Sequence, residues 1–195
     1  YQFSREQQDD FAIRSYELAL AAQEKGYFDT EITPVAVQQK KNVIHINQDE
    51  SPQQVKFDKV RTLKTVFKKE GTITAANASS INDGAAAVML TTAAHAEAQG
   101  LTPLARVKAF STHSHEPKWF TTAPVQSIQK LCQQANITVN DIDLFEINEA
   151  FAVVPLACQK ECGIPLEKID VFGGAIALGH PIGASGARLV VTLLN

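Results

Sequence analysis

Between Gly173 and Arg188 the chain reads Gly-Gly-Ala-Ile-Ala-Leu-Gly-His-Pro-Ile-Gly-Ala-Ser-Gly-Ala-Arg, with five glycines and one proline in sixteen residues. Such a stretch cannot run as one uninterrupted helix or strand, because glycine is entropically costly inside either and proline lacks an amide donor. It suits a tight turn between two elements. Val171-Phe172 before it has strand character, and Ala187-Arg188-Leu189-Val190-Val191 continues as an apolar helix opened by Gly183 to Gly186. His180 sits on the turn, held by Pro181. A histidine in that position suits acid–base work or hydrogen-bond donation; the plainer alternative is a structural histidine at a helix start. A phosphate cradle fits poorly, since the run has neither the P-loop lysine nor the dinucleotide glycine spacing.

A second polar cluster, Phe145-Glu146-Ile147-Asn148-Glu149-Ala150-Phe151-Ala152, falls where an expected strand (Leu144 to Ile147) gives way to an expected helix (Glu149 to Glu161). Strand ends are where α/β proteins gather ligands. Asn148 can donate and accept, and so can orient a water without adding charge. Glu149 has three readings: a base, a carboxylate drawn to a helix start by the dipole, or a partner that orients His180. Spacing alone favours the dipole.

Elsewhere the chain alternates. Ser4 with Gln7 is a capping-box start, followed by Phe11, Ser15, Leu18 and Ala22 at helical spacing and by Gly26 as a stop. Glu31 to Gln38 and Asn42 to Asn47 read as short strands, and Val60 to Phe67 as a short basic helix. After Gly71 the composition turns small and polar, with turn chemistry at Asn82-Asp83-Gly84. Ala85 to Leu90 reads as a buried strand or a helix. A helix (Ala93 to Gln99), a strand (Ala105 to Ser111) and a helix (Val125 to Asn136) follow. Alternation of this kind implies a layered α/β core. A boundary is expected near Asn82, separating a loop-rich module (1–81) from that core (82–195).

Composition narrows the function class. With 45% hydrophobic and 20% charged residues the chain is ordinary for a globular protein. No apolar run of about 18 residues is present, so no membrane span is expected. A net charge of −3 without a dense basic run gives no reason to expect nucleic acid. The cluster Lys59, Arg61, Lys64, Lys68 and Lys69 reads as a solvated helix face. Cys132, Cys158 and Cys162 read as core residues, and His113 with His115 lack a third ligand, so no metal site is expected. Met89 is the sole methionine and the first residues carry no secretory signal. The chain is therefore expected to begin inside a longer reading frame and to be cytoplasmic.

Taken together these segments resemble the thiolase family, most closely its acetyl-CoA acetyltransferases. The resemblance runs through Ser4-Arg5-Glu6-Gln7-Gln8-Asp9, Asn77-Ala78-Ser79-Ser80-Ile81-Asn82-Asp83-Gly84-Ala85-Ala86, Asn148-Glu149-Ala150-Phe151-Ala152 and the glycine-rich run around His180. It implies a layered αβαβα fold, with residues 1–81 as part of a loop domain covering the active site. Residues 82–195 would be a truncated C-terminal domain, with the N-terminal half and the last strands outside the chain. It implies thiolase chemistry: Claisen condensation of two acetyl-CoA to acetoacetyl-CoA, and the reverse thiolysis.

In such an enzyme His180 would assist the nucleophile and donate to the thioester oxygen, and Asn148 would hold the water that makes the second donor. Ser79, Ala75, Phe67, Phe120, Ala150 and Phe151 would contact coenzyme A. For the three phenylalanines, plain core packing is the alternative. Two departures bear on substrate choice. Ala76 and Ser80 flank Asn77-Ala78-Ser79 where the family commonly has glycine, and Phe120 stands where many bacterial biosynthetic relatives have methionine. The implied partners are acetyl-CoA, acetoacetyl-CoA and coenzyme A, as substrates rather than cofactors, within a homodimer or homotetramer. The family's two catalytic cysteines match none of Cys132, Cys158 or Cys162. The 195 residues alone are thus expected to be noncatalytic, and a longer-chain 3-ketoacyl-CoA thiolase of fatty-acid oxidation is the second enzymatic reading.

Overall fold

A computed structural model describes all residues, 1–195. Helix α1 (Arg5–Glu24) starts where the capping box places it: the Ser4 hydroxyl accepts from the Gln7 amide at 3.1 Å, and the Gln7 side chain accepts from the Ser4 amide at 2.8 Å. It stops at Lys25, followed by Gly26 at φ +70°. Strands β1 (Val35–Gln39) and β2 (Asn42–Ile46) form an antiparallel hairpin around Lys40-Lys41, in register from Val35 opposite Ile46 to Gln39 opposite Asn42. Two single-turn helices follow, α2 (Ser51–Gln54) and α3 (Phe57–Val60).

The basic helix expected over Val60 to Phe67 is not formed. Arg5 takes the Val60 and Leu63 carbonyls at 3.2 and 3.0 Å, and Thr65 bonds the Lys68 carbonyl at 2.6 Å. These side chains capture carbonyls that a continuing helix would need.

The C-terminal part is held by α5 (Ala123–Ala135), which ends at Asn136 with φ 53°, and by α6 (Val153–Cys162), which ends at Gly163 with φ +68°. A short α4 (Ala93–Ala98) precedes them; α7 (Ala175–Leu178) and α8 (Ser185–Leu194) follow. Helix α6 is buried on two sides. One side joins Val125, Phe145, Ile147, Ile164 and Ile169; the other packs Leu156 against Phe11 of α1 and Ile176 of α7. Each large aliphatic side chain so buried contributes about 1.5–3 kcal/mol. Cys158 belongs to the first cluster, where burial pushes its thiol up to about 12; Cys132 is also buried and Cys162 half-buried.

The expected strands of the core appear only as isolated bridges. Phe145 pairs in parallel with Ile169, through Phe145 N–H to the Lys168 carbonyl (2.8 Å) and Asp170 N–H to the Phe145 carbonyl (2.9 Å). The pairing thus falls at Ile169 rather than at Val171-Phe172, where the chain already turns. Residues 82–91 and 102–115 make no backbone–backbone hydrogen bonds outside their own segments. Their apolar side chains face outward, with Met89 85%, Leu104 83% and Phe110 82% exposed. A ladder needs a neighbouring strand, and none lies beside these segments. No helix is long and apolar enough to cross a membrane.

The glycine-rich run meets α1 at Gly173. Its φ is +76°, and a Cβ there would overlap the Ser15 carbonyl oxygen. Gly183, by contrast, has no atom within 4 Å of the equivalent position. Gly173→Ala is therefore expected to lower the unfolding free energy by about 2–5 kcal/mol, from left-handed strain plus overpacking. Gly183→Ala should stay within about 0.5 kcal/mol of the parent. Urea denaturation of the two variants side by side checks the contrast.

Candidate functional site

Residues 77–81 stitch the two polar clusters together. On one side Ala78 bridges Phe151: Ala152 N–H donates to the Asn77 carbonyl at 3.0 Å, and Ser79 donates to the Ala150 carbonyl from both its amide and its hydroxyl, each at 3.1 Å. On the other side Ile81 bridges His180, whose amide donates to the Ser80 carbonyl at 2.9 Å. This pairing explains why α6 begins at Val153 rather than at Glu149: the backbone of 150–152 is committed to its neighbour before the helix can start. Asn77 anchors the seam. Its side chain accepts from the Thr74 amide at 2.8 Å and donates to Asp9 of α1 at 2.8 Å, and Asp9 in turn pairs with Arg5 at 2.7 Å.

The seam brings Asn148 and His180 together, with Asn148 Nδ2 at 3.2 Å from His180 Nε2. The other ring nitrogen, Nδ1, is 2.5 Å from the Ser185 hydroxyl, which donates its own proton to the Pro181 carbonyl at 3.0 Å. Because that proton is spent, Ser185 Oγ accepts from Nδ1–H. Nε2 is then left with a lone pair that receives the Asn148 amide. Burial, with the Arg188 charge nearby, holds the His180 pKa below its ordinary value and keeps the ring neutral. Asn148 Oδ1 is buried without a protein donor.

Three of the expected contact residues meet at Phe151. The Phe67 ring packs edge-on to it with centroids 6.1 Å apart, and Phe120 lies 6.4 Å away, tilted by 65°. Phe67 and Phe120 are largely exposed, so they form a wall rather than a core. Ala150 lends its carbonyl to Ser79, and Ala75 lies exposed in the turn before Asn77. His113 and His115 pack edge-on to each other at 5.0 Å, beside Lys130 and the Trp119 carbonyl, and join none of this.

Glu149 does not serve its own helix start. Fully buried, it accepts from the Ser15 hydroxyl of α1 at 2.6 Å and from the Ile176 amide in the first turn of α7 at 3.1 Å. Asp170, equally buried, accepts from the Ile147 amide at 2.7 Å. Glu146 pairs with Arg188 of α8 at 3.2 Å, and burial outweighs that attraction to push its carboxyl up to about 7.

Sequence reasoning did not single out Ser185, Asp170 or Arg188. The one signal it offered was Ser15, a polar residue on the apolar stripe of α1. Proton-NMR titration of the imidazoles is expected to give His180 a midpoint below 6.5, and Arg188→Gln, which removes the nearby positive charge, should move it upward.

Residues 1–94 match the family description "Thiolase, N-terminal domain" and residues 101–195 "Thiolase, C-terminal domain". A probable acetyl-CoA acetyltransferase of Dictyostelium discoideum is 49% identical over 196 residues, covering 100% of this chain and 47% of that protein. The crystal structure of the Bacillus anthracis acetyl-CoA acetyltransferase superposes with a TM-score of 0.96 at 41% identity, over 100% of this chain and 50% of that one. A thiolase of Ascaris suum, crystallised in complex with coenzyme A, gives 0.90 at 40% identity with the same coverage. The chain thus spans about half the length of the relatives it matches. Its backbone is the corresponding half of a thiolase fold, and this chain belongs to the thiolase family.

Proposed function

We propose that the protein carrying this chain is an acetyl-CoA C-acetyltransferase, which joins two acetyl-CoA into acetoacetyl-CoA and runs the reverse thiolysis. The observation that carries the reading is the Asn148–His180 pair, 3.2 Å apart, beside the Phe67–Phe151–Phe120 wall. In its neutral state, with a lone pair on Nε2, His180 is a base able to take the proton of an approaching thiol. Once it holds that proton both ring nitrogens donate, and Nε2–H turns toward a developing thioester enolate oxygen. Ser185 keeps the ring in plane through either state.

Asn148 supplies the second donor through a water, for which its unpartnered Oδ1 and its amide give two attachment points. The protonated ring and the Asn148-held water, both aimed at an oxygen that gains charge only as the enolate forms, lower the barrier rather than tighten ground-state binding. The aromatic wall suits a flexible pantetheine arm, with Ser79 and Ala150 fixing the chain beside it. Ala75, at the exposed turn, would touch the same coenzyme.

The covalent step needs a thiolate. Cys158 is excluded by burial, with its thiol up at about 12, and burial raises Cys162 as well. We therefore assign the nucleophile, and the second cysteine that moves the α-proton, to polypeptide outside these 195 residues. On that reading residues 1–81 help cover the active site, and 82–195 supply its oxygen-stabilising side.

Two experiments test the reading. The whole protein should cleave acetoacetyl-CoA with a higher kcat/KM than a long-chain 3-ketoacyl-CoA, whereas the 195 residues alone should show no thiolysis. A clear long-chain preference would transfer the assignment to a 3-ketoacyl-CoA thiolase of fatty-acid oxidation. In the whole protein, Asn148→Ala should lower kcat by about 100-fold or more with little change in KM, the pattern of a lost transition-state donor. An equal kcat with a raised KM would make Asn148 a binding residue only.

A further inference from the structure

Two carboxyl groups with no assigned role lie directly behind Asn148. Glu149 and Asp170 are both fully buried. Each has one oxygen served by protein donors: Glu149 Oε2 by Ser15 and Ile176, Asp170 Oδ1 by the Ile147 amide. Each has one oxygen with no donor at all, Glu149 Oε1 and Asp170 Oδ2. Each carboxyl acts on the other: a hydrogen bond with Asp170 lowers Glu149, and the charge of Glu149 raises Asp170. Two ionised carboxylates side by side without water repel strongly, and two buried orphan acceptors would each lose their solvation unrepaid. One proton between the two orphan oxygens removes both penalties.

We propose that Glu149 and Asp170 share a single proton between Glu149 Oε1 and Asp170 Oδ2, and that this bond holds Asn148 in line with the segment leading to His180. The bonded groups flank Asn148 on both sides. Asp170 holds the amide of Ile147 just before it, and the carboxylate of Glu149 just after it reaches across to the Ile176 amide and, through Ser15, to the Gly174 amide at 3.1 Å. Gly174 is part of the same fit, since a Cβ there would overlap the Glu149 carboxyl. Asp170 takes a left-handed backbone, φ 47°, to aim its side chain inward. Glu149 and Asp170 are therefore positioning residues that touch no substrate. The chemistry they serve rests on the thiolase reading above; the shared proton does not.

Charged and titratable neighbours face the pair from each packed element. Arg14 and Tyr16 come from α1, Glu146 from the 145–149 segment, Cys158 from α6 and Arg188 from α8. Burial raises both carboxyls, against the pull of Arg188. The sign of the pH dependence follows. A group whose folded pKa lies above its unfolded one binds more protons folded than unfolded. Stability is then greatest below the unfolded carboxyl range and falls as pH rises toward the folded value.

The test uses Glu149→Gln, Asp170→Asn and the double variant in the whole protein, unfolded chemically across a pH series. Either single amide places a permanent N–H where the shared proton sits and leaves the pair's charge at −1, so Glu146 and Arg188 see an unchanged field. Above the ordinary carboxyl range, the parent's unfolding constant is expected to rise with pH about tenfold per unit more steeply than that of either single variant. The double variant, with two amide N–H groups facing each other, should unfold more readily than the two single effects combined. Single variants that keep the parent's slope or fail to fold would overturn the proposal, as would a double variant that is merely additive. Because the readout is unfolding, a protein that fails to cleave acetoacetyl-CoA while showing this slope would sink the functional reading and leave the shared proton standing.

Discussion

The backbone pairing of residues 77–81 is the constraint on which the rest of the site depends. One short segment satisfies the peptide groups of Ala150 and Ala152 on one side and of His180 on the other. Each such bond is worth only about 0.5–1.5 kcal/mol net, but leaving its buried partners unpaired would cost more. The segment does not pack by itself: Asn77, Ala78, Ser79 and Ser80 offer little apolar surface, and Ile81 is exposed. It is held by Asn77, whose side chain completes a local turn and ties into Asp9 on α1. The capped start of α1 and the placement of His180 therefore belong to one hydrogen-bonded unit, running from Arg5 through Asp9 and Asn77 to Ser80.

The elements readable from sequence were those whose signals are local. The Ser4–Gln7 box, the two short strands on either side of Lys40-Lys41 and the ends of the helices near Asn136 and Glu161 depend on a few adjacent residues, and each expected boundary lies within a few positions of the observed one. Ala85 to Leu90, expected as a buried strand or a helix, and the strand expected at Ala105 to Ser111 were read from apolar patterning. Patterning gives a strand's tendency but not its neighbour, and these segments make no ladder. The helix expected after Val60 failed for the opposite reason: its tendency was real, but Arg5, 55 and 58 residues away, took the carbonyls. At the candidate site, the glycine run and the Asn148 cluster, both singled out in the sequence, lie side by side. The setting of Glu149 was not legible, because its partners Ser15 and Ile176 lie 134 and 27 residues away in sequence.

The site combines neutral groups at its surface with charge kept one layer back. His180 is held neutral, and Asn148 and Ser185 carry no charge. The acids Glu146, Glu149 and Asp170 sit behind them with Arg188 as the half-buried counter-charge. On the proposed function the substrate is a thioester, which is neutral at its reacting carbonyl and becomes negative only as the enolate forms. A formal negative charge facing it would oppose that change, whereas dipoles fixed in advance favour it. Burying the acids behind Asn148 gives the loop rigid anchoring without exposing their field at the reacting carbon. Gly173 and Gly174 of the run provide room for α1 and for the Glu149 carboxyl.

The seam also bears on how the chain folds. Its bonds close long loops: Ser79 meets Ala150 across 71 residues, and Ile81 meets His180 across 99, the difference of their positions. Contacts of such separation lose chain entropy before they gain any energy and so form late, after locally encoded pieces such as α1, α5 and the hairpin. The aromatic wall, built from Phe67, Phe120 and Phe151, completes only when these closures have occurred. Asn148 and His180 are therefore expected to stay apart while the chain is only partly folded, so that the pair is completed at the last stage of folding rather than gradually along it.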